Sequence, residues 1–302
     1  MQAQIQIQTK QARPFVKWAG GKGQLLNVIL QEIPFSNSDS FVYVEPFVGG
    51  GAVLFAVLQQ FPKIKKAIIN DINQDLINAY LVIRDNLDSL LEILCELDFK
   101  YNNLFTDPEK RKIFYYTKRD EFNTSAMDNI ERAALFIFLN KTCFNGLYRV
   151  NSKGKFNVPI GRYKHPKICD RENLKAVSEA LQKVEILQGD FEQTLRFAAS
   201  DKLYYLDPPY RPISETSSFT TYTGGGFDDN EQIRLKHFCD RLTEKGAKWI
   251  LSNSDPKNIK PDDNFFDDLY RDYKIKRVKA KRYINSKADG RGEIYEILIK
   301  NF

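Results

Sequence analysis

Histidine is nearly absent from this sequence: His165 and His237 are the only two in 302 residues. The four cysteines, Cys95, Cys143, Cys169 and Cys239, lie far apart and form no CxxC pair. Imidazole and thiolate ligands are therefore too few for a zinc site, and no metal is expected. The cysteines read as buried free thiols of a reducing compartment. No apolar run approaches the length that crosses a bilayer. The opening MQAQIQIQTKQARP lacks the apolar core of a secretory signal, so a cytoplasmic protein without a membrane partner is expected, its first residues loose. Internal repeats and low-complexity tracts are missing too. So is any complete nucleotide signature. GxGxxG fails because Leu54 stands where its last glycine would be, and WAGGKG lacks both the leading glycine and the Ser/Thr of a P-loop.

What is present describes an ordinary globular chain, 42% hydrophobic and 28% charged. Its length suits two lobes or one enlarged α/β domain. The net charge of +6 is unevenly placed. From Lys141 to Lys167 there are seven Lys or Arg and no acid, Lys274 to Arg291 is basic, and DPKNIKPDDNFFDD is acidic. Such segregation suggests a polyanion held along one face, with a solvated surface as the competing explanation.

SFVYVEPF reads as a buried strand entering a glycine cluster, GAVLFAVLQQF as a helix, and KKAIINDI as a second strand ending at Asp71. Helical segments then follow one another without strands: NQDLINAYLVIRDNLDSLLEIL, PEKRKIFYYTKRDEF and NIERAALFIFLN. FNGLYRVNSKGKFNVPIGRYKHP alternates, turns at Ser152–Gly154 and predicts a hairpin. Alternation of strand and helix resumes with VEILQGDF, KLYYLDPPY and AKWILSNSD, and a pair near LYRDYKIKRVK and EIYEILIKNF closes the chain. The economical fold class is one α/β sheet interrupted by a helical insertion.

Several motifs sit at strand ends. The glycines of FVGGG permit a tight turn and close approach of a ligand to backbone N–H groups. Asp71, about twenty residues later, stands where a carboxylate accepts from ribose hydroxyls; a structural turn alone is the plainer reading of the glycines. Trp18 in KWAGGK can cover an adenine or a sulfonium, or make a lone cation–aromatic contact. Asp190 in QGDF is equally natural as a ligand acceptor or as a helix N-cap.

The stretch KLYYLDPPYRP is the most specific. A buried strand ends in Asp207, and two prolines then hold the backbone and present no N–H donors. The Pro208 carbonyl is left to accept beside the Asp207 carboxylate, and Tyr210 presents a flat face. Two acceptors and a stacking surface suit a planar ring with an exocyclic NH₂. Such an amine is a poor nucleophile, because its lone pair is delocalised. Holding its hydrogens at acceptors favours a pyramidal nitrogen and stabilises the charge that develops on attack. A simple strand-ending turn needs no such order of residues.

With these motifs in hand, the sequence resembles the Dam family of adenine-specific DNA methyltransferases, nearly throughout after its first residues. KWAGGK, EPFVGGG, NDIN, NGLYRVNSKGKFNVPIGRY, GDF, DPPY, FTTY and SNSD carry the resemblance, in the order of the α class. The resemblance implies a Rossmann-like S-adenosylmethionine methyltransferase sheet, with an inserted helical target-recognition domain carrying a β-hairpin. Residues 1–72 and 184–302 would form the catalytic domain and 73–183 the recognition domain. Trp18, Lys22, Phe47, Gly49, Gly51, Asp71, Asp190 and Phe191 would line the S-adenosylmethionine pocket, Asp71 on the ribose and Asp190 on the adenine amine. Asp207, Pro208 and Tyr210 would hold the target adenine. Lys17, Leu147, Arg149 and Pro159 would read bases, Phe144 and Asn145 would act at the gap left in the duplex, and Asn151, Asn157 and Arg162 would contact phosphate.

The implied partner is duplex DNA, methylated at adenine by base flipping within GATC or a longer GATC-like site. A companion restriction endonuclease, or solitary work in replication marking, are both compatible with the family. TGGGF, from Thr223 to Phe227, holds more glycine than the family's loop, and RYINSKADGRG follows its basic loop only in part. An RNA or protein amine methyltransferase, a non-catalytic DNA-binding module and a nicotinamide oxidoreductase are the other readings of the same cofactor lobe.

Overall fold

The computed structural model describes residues 11–211, 227–281 and 293–302. The FTTY and TGGGF stretch up to Gly226 and the RYINSKADGRG segment lie outside the described residues.

Among the described residues seven strands form one sheet: β1 (Val42–Glu45), β2 (Lys66–Asp71), β3 (Val184–Gln188), β4 (Lys202–Leu206), β5 (Lys248–Ser254), β6 (Lys274–Lys281) and β7 (Glu293–Lys300). Their order is β3-β2-β1-β4-β5-β7-β6. The first five are parallel, and β7 runs antiparallel between β5 and β6. A parallel sheet is covered on both faces, which is why β1 is a continuous buried run rather than an alternating one. Successive residues still divide between two apolar clusters. Tyr43, Ile69, Leu203 and Tyr205 join one; Val42, Val44, Ile68, Tyr204 and Leu206 join the other.

Nine α-helices accompany the described strands: α1 (Leu26–Glu32), α2 (Ala52–Gln60), α3 (Gln74–Asp85), α4 (Leu87–Asn103), α5 (Pro108–Thr124), α6 (Asn129–Thr142), α7 (Arg171–Leu181), α8 (Asp229–Glu244) and α9 (Phe265–Leu269). α3 to α7 fill the connection between β2 and β3, where a helical insertion is expected. α6 is apolar around its circumference, buried from Ala133 to Asn140, and packed among α3, α4 and α5. A capping box of Asp128 and Glu131 starts it.

Three expectations are corrected in detail. The long helical stretch after Asn73 is two helices, because Asn86 (φ −134°, ψ 38°) leaves the helical region between α3 and α4. The hairpin exists as two isolated antiparallel bridges, Cys143 with Ile160 and Val150 with Phe156, rather than as regular strands. Its backbone is satisfied instead by helix side chains: Asn123 bonds both polar groups of Phe156, and the Tyr115 hydroxyl donates to the Val158 carbonyl. Finally, Cys95 and Cys169 are joined in a disulfide, with Cα atoms 5.3 Å apart. Folding brings α4 against the segment before α7, which spacing in the chain does not reveal. Cys143 and Cys239 are buried free thiols as expected.

Candidate active site

The chain leaves β1 for β2 and β3 on one side, then returns to lay β4 on the other side of β1. The carboxyl ends of β1 and β4 thus flank the switch point of an open sheet, where ligands bind. Both the glycine turn and the acid–Pro–Pro–Tyr turn emerge there.

The glycine turn is conformationally demanding. Gly49 (φ 49°) and Gly51 (φ 76°) take left-handed conformations. A Cβ at Gly49 would lie 2.8 Å from the Trp18 ring, and one at Gly51 2.5 Å from the Tyr80 hydroxyl. Trp18 therefore rests against this turn, and it also lies against the rings of Phe136 and Tyr148. Asp71, at the end of β2, accepts from the N–H groups of Gly49 and Asn73 at 3.0 and 2.9 Å. Burial raises its pKa, and these N–H bonds oppose the rise. Asn70, absent from the expected site, ties three strand ends together: its amide donates to the carbonyls of Pro46 and Gly189, both at 3.0 Å.

Of the two roles open to Asp190, the structure shows the N-cap. It caps the turn beginning at Phe191, accepting from Glu192 N at 2.9 Å, and it takes both terminal nitrogens of Arg234 at 3.0 and 2.8 Å. Burial raises its pKa, but the bonds from Arg234 outweigh this and leave it below the usual carboxylate range. The same guanidinium lies 4.3 Å over the ring of Phe191, which also packs on Phe47 at 5.1 Å. Arg234 was not expected here; four turns of α8 carry it, far along the chain.

At the end of β4 the Asp207 carboxylate faces Lys22, with the Lys22 Nζ 2.6 Å from its Oδ1. Lys22 is 4% exposed, donates also to the Gly20 carbonyl at 2.9 Å, and lies 4.5 Å over the Tyr210 ring. Ser252 donates to the same Asp207 oxygen at 3.1 Å. Burial raises the pKa of Asp207, against the charge of Lys22 and the two hydrogen bonds. Two further carboxylates, Glu45 and Glu296, feel the charge of this ammonium. Glu45, 2% exposed, accepts from the Tyr43 hydroxyl at 2.8 Å and is pushed well up by burial. Glu296 accepts from the Tyr210 hydroxyl at 2.5 Å and is also raised by burial. Three acids and one base thus converge around the end of β4, where burial favours the neutral form of each acid.

The turn itself is fixed from outside. Gln232 donates to the Pro209 carbonyl at 3.2 Å, while Asn253 accepts from Arg211 N at 3.4 Å and donates to Gln232 at 3.2 Å. Pro208 is buried, and among the described residues no donor reaches its carbonyl. Glu45, Ser252 and Asn253 lie inside the EPF and SNSD strings, which mark their position but not their direction. Nothing local marks Glu296.

The residues expected to touch nucleic acid gather on one irregular loop and on Lys17 beside it. Buried Asn140 joins the two: its side chain bonds Lys17 N and O, both at 2.8 Å, and the Gly146 carbonyl at 3.0 Å. Phe144 and Asn145 are exposed, and Asn145 (φ 55°) is the one described non-glycine residue with positive φ. Leu147 is half-buried, while Arg149, Pro159 and Arg162 are exposed. The Lys17 ammonium lies 3.0 Å from the Tyr163 hydroxyl. Two residues have local duties. Asn151 Oδ1 accepts from Lys153 N and Lys155 N, closing the loop tip, and Asn157 Oδ1 accepts from Arg149 Nε at 2.7 Å. Asn157 therefore braces Arg149 rather than standing alone.

Among the described residues no group of His, Cys, Asp and Glu could hold a metal ion, and no helix is long and apolar enough to cross a membrane. A family model described as D12 class N6 adenine-specific DNA methyltransferase matches residues 18–284. The chain is 50% identical over 297 residues to the type II methyltransferase M.MjaIII of Methanocaldococcus jannaschii, covering 97% of this chain and 100% of that protein. It is 40% identical to the type II methyltransferase M1.LlaDCHI of Lactococcus lactis subsp. cremoris, over 96% and 95% of the two chains. A DNA adenine methylase of Haemophilus influenzae is 36% identical, over 95% and 92%.

Proposed function

The chain belongs to the D12 class N6 adenine-specific DNA methyltransferase family, and from that premise we propose that it methylates the exocyclic amine of adenine in duplex DNA within GATC, using S-adenosylmethionine and a flipped target base. The observation that carries this reading is the convergence of Lys22, Glu45, Asp207, Tyr210 and Glu296 beside the glycine turn, at the switch point of the sheet.

The side chains fit the cofactor. The turn at Gly49 and Gly51 leaves no room for Cβ atoms, and Asp71 presents a carboxylate beside it. When bound, S-adenosylmethionine supplies an activated methyl group with a built-in leaving group. Trp18 would cover the turn side of the pocket, Asp71 would hold the ribose, and Asp190 with Phe191 would hold the adenine in place of the Arg234 contact. Lys22 would have to release Asp207 Oδ1 for that oxygen to accept the substrate amine.

Asp207 and the Pro208 carbonyl take the two amine hydrogens of the target adenine, and Tyr210 stacks on its ring. Both acceptors lie where positive charge develops on nitrogen, in a site from which water is largely excluded. The proton leaves the nitrogen after transfer, toward Asp207 or a water beside it. Extrusion of the base costs on the order of a few kcal/mol, offset by stacking, hydrogen bonds and phosphate contacts. Residues 73–183 form the target-recognition part, with Lys17 beside it: Lys17, Leu147, Arg149 and Pro159 read bases, Phe144 and Asn145 fill the gap, and Asn151, Asn157 and Arg162 approach phosphate. Residues 1–72 and 184–302 form the catalytic part. A GATC-like site of greater length is the alternative specificity.

The test is transfer of labelled methyl groups to duplexes with and without GATC, followed by mapping of the modified base. Methylation confined to GATC adenines supports the reading. Equal incorporation into altered sites would remove the specificity, and preference for RNA or peptide would remove the substrate class.

A further inference from the structure

The tyrosine that stacks on the target base has its far end fastened to a residue on a distant strand. The Tyr210 hydroxyl donates to Glu296 Oε2 at 2.5 Å, across 86 residues of sequence. Glu296 stands on β7, opposite Ser254 of β5 and Val278 of β6, so both neighbours in the sheet hold its backbone. A side chain on an interior strand is a more rigid support than one on a loop. Tyr210 itself lies on the irregular turn after Pro209, where its ring can otherwise rotate about two torsions.

The same strand pair supports the other half of the amine site. Ser252 lies two residues before Ser254 on β5, hence on the same face, and it donates to Asp207. β5 therefore positions the carboxylate and β7 positions the ring. Lys22, over that ring and against that carboxylate, is held between the two.

We infer that Glu296 is a positioning residue for methyl transfer, accepting from the Tyr210 phenol and thereby setting the plane on which the flipped adenine stacks. The inference rests on the assignment of Tyr210 to the target base. It requires an acceptor at position 296, so glutamine should serve nearly as well as glutamate, and an apolar side chain should not.

The test is a double-mutant cycle read in single-turnover methyl transfer to an adenine duplex, with a separate non-acceptor duplex carrying 2-aminopurine at the target position reporting stacking by its quenching, and cofactor affinity followed by calorimetry. Glu296→Ala is expected to slow transfer about tenfold and to weaken the quenching, with cofactor affinity unchanged. Glu296→Gln is expected to restore most of the rate. In a Tyr210→Phe background, itself slowed to a similar degree, Glu296→Ala is expected to cost nothing further. Additive losses, failure of the glutamine variant to recover, or full activity of Tyr210→Phe would each overturn the inference. Should Glu296→Ala not fold, the nearly isosteric Glu296→Leu takes its place, and Tyr210→Phe alone still decides. Absence of transfer by the wild type to any duplex would instead sink the functional reading itself.

Discussion

The Asp207 carboxylate, proposed to accept the substrate amine, lies 2.6 Å from the Lys22 ammonium. Asp207→Ala is expected to lower methyl transfer by about 10²–10³-fold, since an acceptor aimed at developing charge is lost, while leaving cofactor affinity largely intact. Calorimetry beside a transfer assay separates the two. The pH dependence follows from the direction of the shift. Burial places the pKa of Asp207 above the ordinary value, so the accepting, ionised form disappears as pH falls through that raised value. The acid limb of kcat/KM is therefore expected at higher pH than a solvent-exposed aspartate would give. Ser252 donates to Asp207 and holds its pKa down, so Ser252→Ala is expected to move that limb further up. A limb unmoved, or moved to lower pH, would show that another group governs it.

Among the elements, the turn between β1 and α2 is tightly constrained. A methyl group at Gly49 meets the Trp18 ring and forces a left-handed residue to carry a Cβ. Gly49→Ala is expected to destabilise the fold by ~1–2 kcal/mol, read in denaturant unfolding. It is also expected to weaken cofactor binding about tenfold by moving Trp18. This turn, the strand before it and Asp71 after it were legible in the sequence, because a buried strand, a glycine cluster and a strand-ending acid each leave a local signature. The basic loop after α6 was legible in composition but not in conformation. Its alternation predicts strands, whereas side chains of α5 and α6 satisfy its backbone and leave two bridges. Local pattern cannot register a competitor supplied by another element.

For the whole molecule, the uneven charge becomes a placed one. The acid-free stretch from Lys141 to Lys167 holds the exposed Arg149 and Arg162, on the loop that Asn140 joins to Lys17. The two arginines are expected to behave differently. Arg149, braced by Asn157, should on substitution relax the choice among near-cognate sites by ~1–3 kcal/mol. Arg162, if it meets phosphate, should on substitution weaken binding evenly and flatten the salt slope by about one unit. Binding isotherms on cognate and altered duplexes at several salt concentrations distinguish these outcomes. A uniform loss for Arg149, or an unchanged slope for Arg162, would reverse the assignment.

The sequence by itself determined where strands end and which chemistry each end carries: Asp71, Asp190 and Asp207 close their strands, and Pro208 and Pro209 stop β4. These follow from side-chain period and backbone restriction, which act over a few residues. Only the tertiary structure decided that β4 lies beside β1, that Lys22 meets Asp207 and Glu296 meets Tyr210, that Arg234 lies on Phe191, and that Cys95 meets Cys169. Those partnerships join residues from distant parts of the chain. Their selection comes from sheet order and shared burial, and neither leaves a mark in the local pattern of any one segment.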